Sequence, residues 1–392
     1  SRVMLINKGG AYPLFLIKFI SIIKIMKTKY LVLIALFIFS CKEQSDNAFE
    51  ILNIEINLEI TLKSSVFSNS VSYVSLKNKN KTVIGEISKM RILENKFVFL
   101  DKKLSKILIF DYKGELVGFS NNYGKGPLEV SEIVDFYIDT LNETIEVLDV
   151  AGYKILVYNK ELEPIRKMRV KINGQRNFFK ISDNHYLLFN DNSPFENKIY
   201  RTISLVDTLG NHINSYIDNS DLLYLLFAER NCFNEFEKKI IFNRSYSEDI
   251  FEFDTRTNYA KLKYRINFEN FKFPDNVLKE YSKIIDKFPV SSDYLLKLID
   301  IANSGKYAKG LGDLYENNKY LFFSYDLTST PNKYYVVYDK FNKVLNNGLL
   351  INDLSPIADF GKPVCMQGNK LYTVLYNEDS DTYQIAIYDL KE

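Results

Sequence analysis

The chain has no tryptophan, only two histidines and only three cysteines among its 392 residues. Each shortage closes off a class of chemistry. His185 and His212 are too few for a zinc site built on several imidazoles. A Ser-His-Asp hydrolase would have to recruit one of them, and no Gly-x-Ser-x-Gly elbow is present to carry its nucleophile. His185 also follows Asp183-Asn184, which is turn chemistry and places it at a surface bend. Cys232 and Cys365 lie far apart, and no even, closely spaced cysteine framework suggests structural disulfides. The acidic runs Asp218-Asn219-Ser220-Asp221 and Glu378-Asp379-Ser380-Asp381 lack EF-hand spacing and its central glycine, so they read as polar loops. No catalytic residue, metal or cofactor is expected.

An uninterrupted apolar run long enough to cross a bilayer is also missing. Leu14–Phe39 is apolar on average, but Lys18, Lys24, Lys27 and Lys29 break it, and a central charge costs a few kcal/mol in hydrocarbon. The same stretch fits an export signal. Met26 opens it, Lys27 and Lys29 form a basic start, and Tyr30–Phe39 is an apolar core of about ten residues. Ile38-Phe39-Ser40-Cys41 then resembles a lipobox, with Phe39 bulkier than usual, and makes Cys41 the expected lipidation site. Residues 26–40 are accordingly read as a lipoprotein signal peptide and 41–49 as a tether. The chain begins at Ser1 rather than Met, and residues 1–25 are expected to lie upstream of the true start. The competing reading is one membrane helix followed by an ordinary cysteine.

Residues 1–40 carry six basic side chains and no acidic one. Without them, the chain's 51 basic residues become 45 against 49 acidic, a net of −4. Both signs are interleaved, so nucleic acid is not an expected partner.

What is abundant is aromatic and β-branched sequence, with 28 Tyr and 29 Phe. It is organised as a repeat. Lys106-Ile107-Leu108-Ile109-Phe110-Asp111 returns as Lys154–Asn159, Thr202–Asp207, Asp249–Asp254, Tyr334–Asp339 and Gln384–Asp389. The closing positions 111, 159, 207, 254, 339 and 389 are 48, 48, 47, 85 and 50 apart. An apolar strand precedes each copy, and a polar turn such as Tyr112-Lys113-Gly114-Glu115 follows most of them. About four strands per 48 residues is the signature of a propeller blade. The expected fold is therefore all-β: a six-bladed β-propeller of four-stranded antiparallel blades over residues 50–392.

Two departures from the period carry information. The last copy ends three residues before the C-terminus, leaving no room for an outermost strand. Leu52–Leu62 alternates cleanly between apolar and polar residues and Val71–Leu76 does so more weakly, so an N-terminal strand is expected to complete the last blade and close the ring. The 85-residue gap holds one period plus about 37 residues of helical periodicity: Val277, Leu278, Tyr281, Ile284, Ile285 and Phe288 fall on one face. A helical insertion over about 274–304, between blades 4 and 5, is expected either to decorate the ring or to form a lid or docking surface.

From Glu50 onward the chain resembles the six-bladed β-propeller lipoproteins of bacteria, relatives of NHL-like and TolB-like propellers. The markers are Val71–Leu76, the first full repeat Ile87–Phe119, and Gly124-Lys125-Gly126-Pro127-Leu128-Glu129. The last is similar to that family's Gly-x-Gly-Pro-Gly-Glu element with Leu128 in place of a glycine. It reads as an inter-blade turn rather than a phosphate loop, because strand rather than helix follows it. The resemblance implies an envelope location, expected here as lipid-anchored in the outer membrane, at its periplasmic face or the cell surface.

Innermost strands line a propeller's channel, so the segments opening each blade are the candidate binding positions: Glu86, Glu132, Asp135, Arg176, Arg230, Lys309 and Asp359. Converging charges at a concave mouth suit a ligand, although they would also suit mutual pairing. The expected function is a non-catalytic binding or scaffold propeller for an envelope protein, a peptide or a glycan. The alternative is a carboxylate-based hydrolase or lyase at the channel mouth, using Glu132 with Asp135 or Asp359.

Overall fold

The recurring Asp or Asn has a chemical reason. Asp111 Oδ1 accepts the backbone N–H groups of Lys113 and Glu115, both at 2.9 Å, and Asn159 Oδ1 accepts those of Glu161 and Glu163 at 3.1 and 2.8 Å. Asp207 does the same for Leu209 and Asn211 at 2.9 and 2.7 Å. A short carboxylate or amide bonding the backbone just ahead of it reverses the chain. The third position after it must then take a left-handed backbone, which is why Gly114 (φ +80°) and Gly210 (φ +75°) follow; a Cβ on either would lie 2.0 Å from a neighbouring blade's carbonyl oxygen.

The computed structural model describes residues 49–77, 83–171, 175–190, 201–218, 233–244, 247–274, 300, 307–328, 332–378 and 381–392. The six repeat copies are the third strands of six antiparallel sheets. In each blade the chain runs outward from an innermost strand. These inner strands are Ile87–Leu93, Ile133–Asp139, Gln175–Ser182, Phe233–Phe236, Ala308–Glu316 and Lys362–Gln367. The second strands carry Asp101, Asp149, Asn190, Asn243, Asp326 and Asn377 at or one residue before their ends, a second Asp/Asn register inside the first. The buried Asp101 accepts the N–H groups of Gly85, Glu86 and Leu104, and the buried Asp149 those of Ser131, Glu132 and Gly152. Each ties the segment entering its blade to the blade's own middle.

Middle strands are apolar on both faces because both faces meet another blade. Six hydrophobic clusters result, one at each junction. Val98, Leu100 and Ile107 of blade 1 meet Phe136 and Val147 of blade 2. Val364, Cys365 and Tyr372 of blade 6 meet Met90 and Phe99 of blade 1, closing the circle.

The N-terminal segment closes the ring, as expected, but by a longer route. Three strands are involved: β1 (Glu50–Asn53), β2 (Thr61–Lys63) and β3 (Ser68–Ser75). β3 is the outermost strand of blade 6, paired antiparallel with Thr382–Leu390. The alternating stretch expected as one strand over Leu52–Leu62 is instead split. β1 adds a parallel fifth strand to blade 4, along Tyr259–Asn267, and β2 does so for blade 5, along Val344–Ile351. A single strand cannot follow two differently oriented blade edges, so the pairing lapses between them. The alternation survives as burial: Leu52, Ile54 and Leu62 are buried and Ile56 and Leu58 pack half-buried on the core, while the polar residues between them face water and Ile60 is exposed. At the corner before β3, Asp353 accepts the Ser65 N–H at 2.8 Å, and the buried Asn352 bonds Tyr73 OH at 2.8 Å.

The helical insertion expected over 274–304 lies, apart from Pro274 and Asp300, outside the described residues, as do the signal segment and Cys41. Gly124–Glu129 forms a closed turn: the Glu129 carboxylate accepts the Gly126 N–H at 2.7 Å, and Ser131 Oγ donates to the Gly124 carbonyl at 2.7 Å.

Phe67 is the buried link between the belt and the ring, its ring edge-on to Phe322 and Phe360 at 6.1 Å each. Phe67→Ala should cost about 3–5 kcal/mol, read as a lower denaturation midpoint. Ile60→Ala, in the same belt but 45% exposed, should change it by less than about 1 kcal/mol.

Candidate functional site

The channel has two rims, an upstream one where the innermost strands begin and a downstream one where they end. The sequence-derived candidates belong to the upstream rim. Glu86, Glu132, Arg176 and Asp359 are all exposed there. Glu86 pairs with Lys362 of blade 6 at 3.2 Å, and Asp359 accepts the Gly361 N–H at 2.9 Å. Lys309 pairs through its backbone with Asp326 on the innermost strand of blade 5. Arg230 lies outside the described residues.

Asp135 goes elsewhere. Five innermost strands shift register near their start, between Ile87 and Lys89, Ile133 and Asp135, Gln175 and Asn177, Lys309 and Leu311, and Pro363 and Cys365. A bulge of this kind breaks the two-residue alternation and re-aims the side chains beyond it. Asp135 is therefore fully buried between blades, where it is hydrogen-bonded to the Lys89 ammonium of blade 1. It also accepts the Phe178 N–H of blade 3 at 3.0 Å. Three blades are joined through one carboxylate. Burial holds the Lys89 ammonium below its usual range, with the Asp135 charge opposing.

Beyond the bulges of their own strands, Arg91 of blade 1 and Tyr137 of blade 2 line the channel's downstream end, where a cavity of about 330 Å³ opens. Five blades contribute to it: Arg91 from blade 1, Tyr137 and Thr140 from blade 2, Glu235 and Phe236 from blade 4, Glu316 and Asn318 from blade 5, and Cys365, Met366 and Gln367 from blade 6. Its charges are of two kinds. Glu316 is engaged, accepting from Lys263 at 2.8 Å, Lys340 at 2.7 Å and Tyr264 OH at 3.2 Å. Arg91 and Glu235 have no hydrogen bond or ion pair among the described residues, and Arg91 Nε is buried without a partner.

Arg91 sets the local field. Burial among the channel walls holds the Glu235 carboxyl above the usual carboxylate range, although its surface still reaches water, and the Arg91 charge only partly offsets this. Burial pushes the Cys365 thiol up to about 11 against the pull of Arg91 and Lys89, so it is a protonated and unreactive thiol. Burial raises the Tyr137 hydroxyl in the same way. Its ring is held edge-on to Phe179 at 4.9 Å. The arrangement can hold a small polar molecule by one cation, one carboxyl and apolar walls.

Neither histidine lines this cavity. His185 Nδ1 stands 3.2 Å from Ser182 Oγ and His212 Nε2 stands 2.7 Å from Ser215 Oγ. Among the described residues, no group of three His, Cys, Asp or Glu is placed to hold a metal ion. Arg91 and Glu235 were not among the sequence candidates, which favoured strand openings. The usable signal was a charge standing inside a strand otherwise shared between apolar faces, as in Phe233-Asn234-Glu235-Phe236.

Fold and cavity together define a six-bladed β-propeller with a ligand-sized mouth at one end of its channel. Residues 49–387 match the family described as Domain of unknown function (DUF4934), and the chain belongs to that family. Among solved structures it is similar to a candidate exported protein of Bacteroides fragilis, with 15% identity and TM-score 0.68 over 87% of this chain and 100% of the other. A member of the DUF4221 family from Bacteroides vulgatus is similar at 11% identity and TM-score 0.50, over 83% of this chain and 99% of the other. At these identities the likeness shows the fold alone. Comparison with curated proteins finds no sequence relative.

A carboxyl with a raised folded pKa binds its proton more tightly folded than unfolded. Its contribution to stability is full below the unfolded value of about 4.3 and is lost as pH rises through the folded one. Glu235→Gln mimics the protonated form. Its denaturation midpoint should match wild type near pH 4 and exceed it by a growing margin toward pH 7.

Proposed function

We propose that this chain is an exported, lipid-anchored propeller that binds its ligand without transforming it, and that the downstream mouth is its binding site. The observation that carries the reading is the contrast in pairing. The buried charges of the ring, Lys89 with Asp135 and Lys263 with Glu252 and Glu316, neutralise one another, whereas Arg91 and Glu235 face the cavity with no ion-pair partner among the described residues. A charge held in a concave site without a partner is costly unless something supplies one. The anchor rests on the lipobox-like run ending at Cys41 and on the candidate exported protein among the structural neighbours. Kinship with NHL-like and TolB-like lipoproteins belongs to the same proposal, as does an outer-membrane location at the periplasmic face or the cell surface.

A second reading has one observation in its favour. Glu235, its carboxyl raised above the usual range by burial in a cleft, has some of the character of a general acid. A carboxylate-pair hydrolase or lyase also needs a second free carboxylate facing it. Glu316 is engaged by two lysines, and Asp135, one of the acids first considered, is buried against Lys89. Binding is the simpler use of the site.

Two measurements test this reading. The full chain should incorporate a palmitate analogue in cells and Cys41→Ala should not; an unlabelled wild type would contradict the anchor. In a thermal-shift screen against peptides and glycans, a ligand at a hundred times its Kd should add about 2.7 kcal/mol of stability. That shift should vanish in Arg91→Ala; a shift that survives the substitution would move the site elsewhere.

A further inference from the structure

Resting on the downstream mouth as the binding site, we propose that its ligands are small monocarboxylates bearing an amine or hydroxyl beside the carboxyl. Arg91 binds the carboxylate and Glu235 selects the neighbouring group. The guanidinium is a rigid planar fork that matches a carboxylate with two parallel hydrogen bonds. Here its Nε is buried with no hydrogen-bond partner among the described residues, a donor that costs stability until an acceptor arrives.

Charge and size narrow the class further. Among the described residues the cavity holds one cation without a hydrogen-bond or ion-pair partner, Arg91, while the carboxyl of Glu235 stands on the facing blade 4 strand and Glu237 sits at the turn beyond it. A phosphate monoester or a dicarboxylate would set its second negative charge against these acids, whereas a single carboxylate leaves Glu235 able to accept from an ammonium or hydroxyl. A cavity of about 330 Å³ lies at the small end of ligand sites, roughly 300–1,000 Å³. That suits one amino-acid or sugar-acid unit rather than a polymer segment. Ile92, Phe236 and Met366 provide an apolar wall for its carbon skeleton.

The test is calorimetric titration of the full chain with three probe sets: free α-amino acids, sugar acids such as glucuronate, and their amide or methyl-ester counterparts with the matching neutral sugars. At least one carboxylate should bind, and its amide or ester should bind roughly 10- to 100-fold more weakly, the loss of a charged hydrogen-bonded contact. Arg91→Gln should lose the same factor and Arg91→Lys should recover part of it, with an unchanged denaturation profile showing that both variants fold. Glu235→Gln should still bind the carboxylate but lose its preference for the compound bearing the neighbouring amine or hydroxyl. If neutral sugars bind wild type and Arg91→Gln alike, the carboxylate assignment is wrong while the mouth remains a binding site. If no probe binds, and the peptides and glycans of the wider screen give no Arg91-dependent shift either, both proposals fall.

Discussion

Everything else in this molecule depends on the pairing of Ser68–Ser75 with Thr382–Leu390. A row of blades without that pairing has an unfinished sheet at one end and exposes unpaired backbone to any passing strand. Chemistry specific to this one junction secures it. In most blades the aspartate ending the third strand caps the following turn. In blade 6 no turn follows, and Asp389 bonds the closing strand instead: its carboxylate accepts from Ser70 Oγ at 2.8 Å and from Lys370 at 2.6 Å, and its carbonyl accepts from Ser68 Oγ at 2.8 Å. The C-terminal tail continues the clasp, with the Lys391 N–H donating to the Phe67 carbonyl at 2.9 Å.

Closure reaches further than one blade. Because β1 and β2 first edge blades 4 and 5, the segment that leads to the closing strand is itself fastened along half of the ring. Glu50, at its start, accepts from Tyr338 OH at 2.5 Å and from Lys343 at 2.8 Å. A ring fixed in this way holds five inner strands in constant relation at the downstream rim, so Arg91 and Glu235 keep their places although no bond joins them. Preorganisation of that kind lowers the cost of binding a small molecule.

The architecture was legible in the sequence because it is written in a repeated local reaction, an Asp or Asn bonding the backbone ahead of it every 48 residues or so. Ring closure was legible from a shortage, a last repeat with no fourth strand. The split of Leu52–Leu62 was not, because alternation reports which side chains are buried and not what they are buried against; Leu52 is buried at the junction of blades 4 and 5 and Leu62 at that of blades 5 and 6. The site was read at the wrong level of detail for a similar reason. Asp135 and Arg91 are both charged residues on inner strands, and one bulge per strand decides that the first is sealed between blades while the second faces the channel. A bulge is set by three-dimensional packing and leaves no reliable mark in composition. The second Asp/Asn register, at Asp101 and Asp149, is masked in the sequence by the stronger register that closes each third strand.

The claim on which these points converge is that the closing strand is part of the cooperative ring. Native-state amide hydrogen exchange on the full chain tests it directly. Amides of Ser68–Ser75 paired to Thr382–Leu390 should show the same opening free energy as those of a central strand such as Lys106–Asp111, because none can open without global unfolding. Exchange of Ser68–Ser75 at a markedly lower free energy, with Lys106–Asp111 still protected, would mean that the blades stand without their closure and would contradict the account.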